Sequence, residues 1–217
     1  MPAATSALFD LDGTLTDPGD GFVKCVSHAL AKLDCLRHSP AEILRHVGPP
    51  LEETLGKLLD GDRARIQAAV ALYLERYGGE GYLDNAIYPG IEHALGELEG
   101  RGLALFVATS KPAVYARRIL EHFGLARRFA GIYGSEFDGT RSNKGELIAH
   151  LLSDAGIEPA STVMIGDRAQ DVAGALANGV RPIGALWGYG TRAELARAGA
   201  RQFCERPSQL PATLAPR

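Results

Sequence analysis

Asp10 and Asp12 stand one residue apart, where the apolar run Ala7-Leu8-Phe9 stops and Gly13 follows. A strand repeats every two residues, so both carboxylates would share a face, and a glycine directly after them can bend the backbone until both address one pocket. Carboxylates that close repel unless a proton or a cation sits between them, and a hard divalent metal with oxygen ligands meets that need. A metal beside a free carboxylate suggests phosphoryl chemistry. For so short a stretch taken alone, an Asx turn with a merely solvated second acid is the commoner case, so the rest of the chain has to decide.

Three further clusters follow. Thr109-Ser110 closes a second apolar run at residues 103–108, Lys144 opens a helical stretch after Asn143, and Gly166-Asp167 closes a third run at residues 162–165, with Asp171 four residues on. A phosphoryl group in flight carries its charge on the equatorial oxygens, so its catalyst is mostly cations and donors placed around them. Thr109 and the N–H groups of the helix that follows can cradle those oxygens, with Ser110 as a neighbouring donor. Lys144 can supply a fixed positive charge. Asp167 adds the third acid of an octahedral Mg²⁺ site, water or phosphate oxygens filling the remainder, while Asp171 would hold the loop or a metal-bound water. Taken singly, Thr-Ser and Gly-Asp are more often helix caps and a lysine opening a helix is usually solvated.

The elements that would position these groups can be read from periodicity. Residues 5–10 form a first strand. Apolar residues at Phe22, Val26, Ala29, Leu30 and Leu33, at Leu51, Leu55, Leu58 and Leu59 after Pro49-Pro50, and at Ile66, Val70, Tyr73 and Tyr77 predict helices. From Tyr88-Pro89-Gly90 onward helix and strand alternate, with unbroken apolar strands at 103–108, 132–133, 162–165 and 182–186. That rhythm predicts an α/β fold: a doubly wound, Rossmann-like parallel sheet covered on both faces, with a helical segment inserted after the first strand. The expected division is a catalytic core of residues 1–17 and 85–217 and a helical cap of residues 18–84. In such a sheet ligands bind beyond the carboxyl ends of the strands, where the strand order reverses. The polar clusters at 10–12, 109–111 and 166–168 all belong on that rim. The stretch after Pro207 has no periodicity and is expected to be a surface strap.

A chain of 217 residues, 46% hydrophobic and 23% charged, can bury a sizeable core and reads as neither fibrous nor disordered. Its formal net charge of −3 argues against nucleic acid or an anionic membrane surface as a partner. Residues 17–84 hold 8 basic against 11 acidic residues. An anionic substrate must therefore be caught by local cations and not by a molecular field. Three scattered cysteines offer no disulfide framework and no zinc spacing. The opening residues carry no basic group ahead of a long apolar run, so neither a leader nor a membrane span is expected, and a cytoplasmic location is. Nothing in the sequence sets an oligomeric state.

Asp10-Leu11-Asp12-Gly13-Thr14, Thr109-Ser110, Lys144, and Gly166-Asp167-Arg168-Ala169-Gln170-Asp171 resemble, in order, the four motifs of the haloacid-dehalogenase superfamily. The resemblance extends from Leu8 to about Ala200 and includes Trp187-Gly188-Tyr189-Gly190. The helical insertion between the first and second motifs is similar to that of the phosphoglycolate-phosphatase-like branch. The resemblance implies a phosphomonoester hydrolase acting on a small-molecule phosphate ester such as phosphoglycolate or a nucleoside 5′-monophosphate. Asp10 would attack phosphorus and form an aspartyl phosphate, and Asp12 would serve as general acid and base. Asp10, the backbone carbonyl of Asp12, and Asp167 would hold Mg²⁺, and Thr109, Ser110 and Lys144 would bind phosphate. The dehalogenases themselves lack the second acid, since a halide leaves without a proton, so Asp12 argues for esters. A sugar-phosphate mutase of the same superfamily and a receiver-like phosphoacceptor domain are the alternatives. Within the cap, Arg45 or Lys24 is the expected contact to the non-reacting end of the substrate.

Overall fold

The computed structural model describes residues 4–35, 37–79 and 81–215; the first three residues, read above for a leader, lie outside them. The chain forms two compact units, one running to Thr16 and resuming at Ile87, the other comprising Asp17–Ala86. In chain order the elements are β1 (Ser6–Phe9), β2 (Thr16–Asp17), α1 (Gly19–Lys32), α2 (Pro40–Leu44), α3 (Leu51–Leu58), α4 (Arg63–Gly79) and β3 (Ala86–Ile87). There follow α5 (Ile91–Gly100), β4 (Ala104–Pro112), α6 (Ala113–His122), β5 (Gly131–Ser135), α7 (Lys144–Ala155) and β6 (Thr162–Gly166). The chain closes with α8 (Ala169–Ala177), β7 (Arg181–Ala185), α9 (Arg192–Arg197), β8 (Phe203–Cys204) and α10 (Leu210–Thr213).

The larger unit is built on a six-stranded parallel sheet in the order β5-β4-β1-β6-β7-β8, and β2 pairs separately with β3. β1 lies between β4 and β6, with Phe9 level with both Val107 and Ile165. Strand order runs outward from β1 in one direction and then in the other, so the switch of direction falls beside β1. All four residues of β1 are buried. Leu8, Phe106 and Met164 from three adjacent strands pack against Leu147, Ile148 and Leu151 of α7, the two-sided burial that continuous apolar strands require.

The smaller unit is helical. α1 buries Cys25, Val26, Ala29 and Leu30 along one stripe, and Phe22 meets Tyr73 of α4 edge to face with ring centroids 6.2 Å apart. α2, which periodicity does not reveal, is set by chemistry at its start. Ser39 accepts from the Glu42 N–H while Glu42 accepts from the Ser39 N–H, a capping box followed by a proline at the first helical position.

The structure departs from the sequence reading at three points. The segment after Pro207 is no surface strap: Leu210 is fully buried, Leu214 nearly so, and the Pro211 carbonyl accepts from Arg101. A sixth strand, β8, also joins the sheet beside β7; with two residues it is too short for a period to register. β4 runs on through Thr109 to Pro112, and its pairing with β5 slips between Ala108 and Pro112.

Candidate active site

The carboxyl ends of β4, β1 and β6 are neighbours on one rim, and most of the expected groups meet there. Asp10 follows β1 directly, its N–H donating to Ile165 O at 2.9 Å. The chain then turns tightly, with the N–H groups of Thr14, Leu15 and Thr16 all donating to Leu11 O. Gly13 makes this turn possible at φ +90°, and a Cβ there would stand 2.4 Å from Asp167 Oδ2. A Cβ on Gly188 would stand 2.5 Å from the same oxygen.

Lys144, the first residue of α7, is placed by Asn143, whose side chain accepts from the Gly145 and Glu146 N–H groups. Its ammonium is almost wholly buried and lies 2.9 Å from Asp10 Oδ1, 2.9 Å from Ala108 O and 2.7 Å from Asp171 Oδ1. Asp167 is fully buried and accepts from Thr14 Oγ1 at 3.1 Å and from the Tyr189 N–H at 2.8 Å. It has no ion pair among the described residues. Asp171 caps α8 through its bond from the Arg168 N–H at 3.0 Å. One oxygen from each of Asp10, Asp167 and Asp171 lies within 4.8 Å of the others.

Three buried carboxylates therefore cluster where a single buried ammonium pairs with two of them, Asp10 and Asp171. Burial first, and then the charges of Asp10 and Asp171, push the Asp167 carboxyl up to about 8. Burial likewise raises Asp171 to about 6, though Lys144 opposes it. Burial pulls Lys144 down, but Asp10 and Asp171 outweigh it and hold the ammonium above its ordinary value. A second cation beside Asp167 would relieve this excess of negative charge. The donor set, all carboxylate and in a cradle that a Cβ on Gly13 or Gly188 would fill, fits a hard divalent ion.

Asp12 is not one of the three clustered acids, though the charges of Asp10 and Lys144 reach it. Both of its oxygens meet the ammonium of Lys111, at 2.8 and 2.7 Å. Burial raises the Asp12 carboxyl above its ordinary value, against the lowering effect of Lys111. Sequence reading noted Lys111 only as part of a strand end; its aim follows from the slipped pairing of β4, which no periodicity reports. Thr109 is buried, its Oγ1 accepting from the Lys111 N–H, and the Ser110 carbonyl accepts from Ser135 Oγ. Trp187 donates through Nε1 to Thr14 O at 2.9 Å, which gives the Trp187–Gly190 loop a structural task. In the helical unit, the Lys24 ammonium lies 2.9 Å from Asp84, which Arg76 also approaches, on the wall of a cleft of about 630 Å³. Arg45 is exposed at the end of α2.

Comparison with known proteins agrees with the fold. The family model described as haloacid dehalogenase-like hydrolase matches residues 7–185. A 5′-nucleotidase of Pseudomonas aeruginosa is 45% identical over 91% of this chain and 89% of its own. The tyrosine-protein kinase PtkA of Mycobacterium tuberculosis is 40% identical over 84% of this chain and 62% of its own. A phosphoglycolate phosphatase of Rhodospirillum rubrum is 33% identical over 92% of this chain and 86% of its own. Among solved structures, a predicted phosphatase from Clostridium acetobutylicum superposes with a TM-score of 0.93 at 37% identity, covering 98% of this chain and 99% of that one. The chain belongs to the haloacid dehalogenase-like hydrolase family. It is an enzyme of the phosphatase class. No helix among the described residues is long and apolar enough to cross a membrane.

Proposed function

We propose that this enzyme is a Mg²⁺-dependent phosphomonoesterase working through an aspartyl phosphate on Asp10, with a nucleoside 5′-monophosphate as the favoured class of substrate and phosphoglycolate as the second. The observation that carries the reading is the meeting of Asp10, Asp167 and Asp171 at the switch point of the sheet, with Lys144 paired to Asp10 and Asp171. The order of substrates rests on the higher identity to the 5′-nucleotidase.

The proposed roles follow from position. Lys144 holds Asp10 by one oxygen and leaves the other to attack phosphorus in line with the departing ester oxygen. As the P–O bond to the leaving group breaks, Asp12 gives that oxygen its proton, and then takes one from the water that cleaves the aspartyl phosphate. Thr109, Ser110 and the Lys144 ammonium face the equatorial oxygens. Asp10, the Asp12 carbonyl and Asp167 would hold the metal, with Asp171 fixing Lys144 and the loop. When bound, the ion offsets the charge of the acids and of the phosphoryl oxygens. The helical unit is proposed to carry selectivity through Arg45 or Lys24.

A panel of phosphate esters assayed for released phosphate, with Mg²⁺ and with EDTA, tests this. Hydrolysis is expected only with the metal, nucleoside 5′-monophosphates leading; hydrolysis undiminished by EDTA would refute it. The 40% identity to a protein-tyrosine kinase supports a second reading, transfer of the phosphoryl group to a protein hydroxyl. Label passing from ATP to protein, with little free phosphate, would select it. A mutase would show bisphosphate-stimulated turnover, again with little phosphate released.

A further inference from the structure

Lys111 has no role in the mechanism proposed above, yet its placement is tightly specified. From Ala108 to Pro112 β4 advances four residues while β5 advances two, from Tyr133 to Ser135, so two extra residues are thrown out of the pairing at this point. A bulge of that kind re-aims side chains at the end of a strand. Its backbone is pinned three ways. The Lys111 N–H donates to Thr109 Oγ1 at 3.2 Å, and Ser135 Oγ donates to Ser110 O at 2.9 Å. Gly134 lies so close that a Cβ on it would stand 2.5 Å from Lys111 O. The lysine side chain is 10% exposed and that of Asp12 19%, and the ammonium reaches both carboxylate oxygens.

We infer that Lys111 is a positioning residue for Asp12, holding one carboxylate oxygen so that the other is aimed at the ester oxygen it must protonate. This rests on the reading of Asp12 as the proton donor. A carboxylate on an unrestrained side chain rotates about two bonds, and a misaimed donor transfers its proton poorly. An ammonium carries three hydrogens, so it can keep its bond to one oxygen while the other carries the proton. In the step that Lys111 supports, Asp10 forms its bond to phosphorus, the P–O bond to the leaving group breaks, and the Asp12 proton passes to that oxygen. Lys111 itself neither gains nor loses a proton.

The dependence on leaving group tests this. A p-nitrophenolate departs without a proton, whereas an alkoxide needs one. The kcat/KM, which covers steps only through departure of the leaving group, is measured for p-nitrophenyl phosphate and for an alkyl ester, 2-phosphoglycolate or adenosine 5′-monophosphate, whichever turns over faster. Lys111→Met should lower kcat/KM for the alkyl ester at least about tenfold more than for the aryl ester, within the range of a general-acid contribution. Lys111→Arg, which keeps a charged N–H donor for the Asp12 carboxyl, should recover most of that difference. Equal losses on both esters in Lys111→Met would overturn the proposal, since a lysine that binds phosphate or only supports the fold affects both alike. Asp12→Asn separates the two failures. If it shows the leaving-group difference and Lys111→Met does not, the positioning role alone falls; if Asp12→Asn lacks the difference, the proton-donor reading falls and takes this one with it.

Discussion

At the residue scale the site is a contest between burial and charge. Asp10, Asp167 and Asp171 are removed from water, and Lys144 touches two of them. Replacing Asp10 by Asn should cost several orders of magnitude in turnover while the fold persists, measured as phosphate release beside a thermal melt. Lys144→Ala should be worse in both respects. It strands two buried carboxylates, and breaking a buried pair in this way costs about 3–5 kcal/mol, read as a fall in the denaturation midpoint. The Asp167 carboxyl predicts the pH behaviour of the metal-free protein. With its folded value pushed from 3.8 to about 8, the native state binds the extra proton across that window, so stability falls as pH rises through it. Asp171 contributes with the same sign. The melting temperature in EDTA should be lower at pH 8 than at pH 5.5, and Mg²⁺ should raise it more at pH 8; an equal effect of Mg²⁺ at both values would place the ion elsewhere.

At the scale of elements, what could be read from the sequence was whatever has a period or a motif. Five strand positions and the rim they share were legible because unbroken apolar runs alternate with amphipathic helices. Asp10 and Asp167 could be placed because each closes such a run. β8 was not legible, since two residues hold no period, and α2 would have been found from the Ser39–Glu42 capping box and not from hydrophobic spacing. Lys111 was hidden for a different reason. Its direction is set by a slip between β4 and β5 that depends on Gly134 and Ser135, more than twenty residues on. Burial of Leu210 and Leu214 depends on contacts with remote elements, which local polarity does not record. Gly13 is the point where element geometry and chemistry coincide. Gly13→Ala places a side chain at φ +90° against the Asp167 carboxylate. It should cost about 1 kcal/mol or more and weaken Mg²⁺ binding, measured by the metal concentration that half-restores activity.

At the scale of the molecule, a net charge of −3 leaves little long-range attraction for an anionic ester, so capture depends on cations already fixed by the fold. Lys144 and Lys111 are such cations, each bound to a carboxylate before any substrate arrives. The helical unit, Asp17–Ala86, enters the chain immediately after the acid pair. If it selects substrate as proposed, Arg45→Ala or Lys24→Ala should reorder the ester panel while leaving turnover of p-nitrophenyl phosphate within a few-fold. An unchanged ranking in both would remove these residues from recognition. The central claim is that Asp10 itself becomes phosphorylated. The most direct measurement is acid quench of the Asp12→Asn variant during reaction with p-nitrophenyl phosphate and Mg²⁺, followed by mass spectrometry of its peptides. The leaving group needs no proton here, and the water that would clear the intermediate has lost its base. Close to one phosphoryl group per chain, on the peptide and residue of Asp10, is the predicted result. Nitrophenolate released over many turnovers from a chain that stays unlabelled, or label on a different residue, would contradict it.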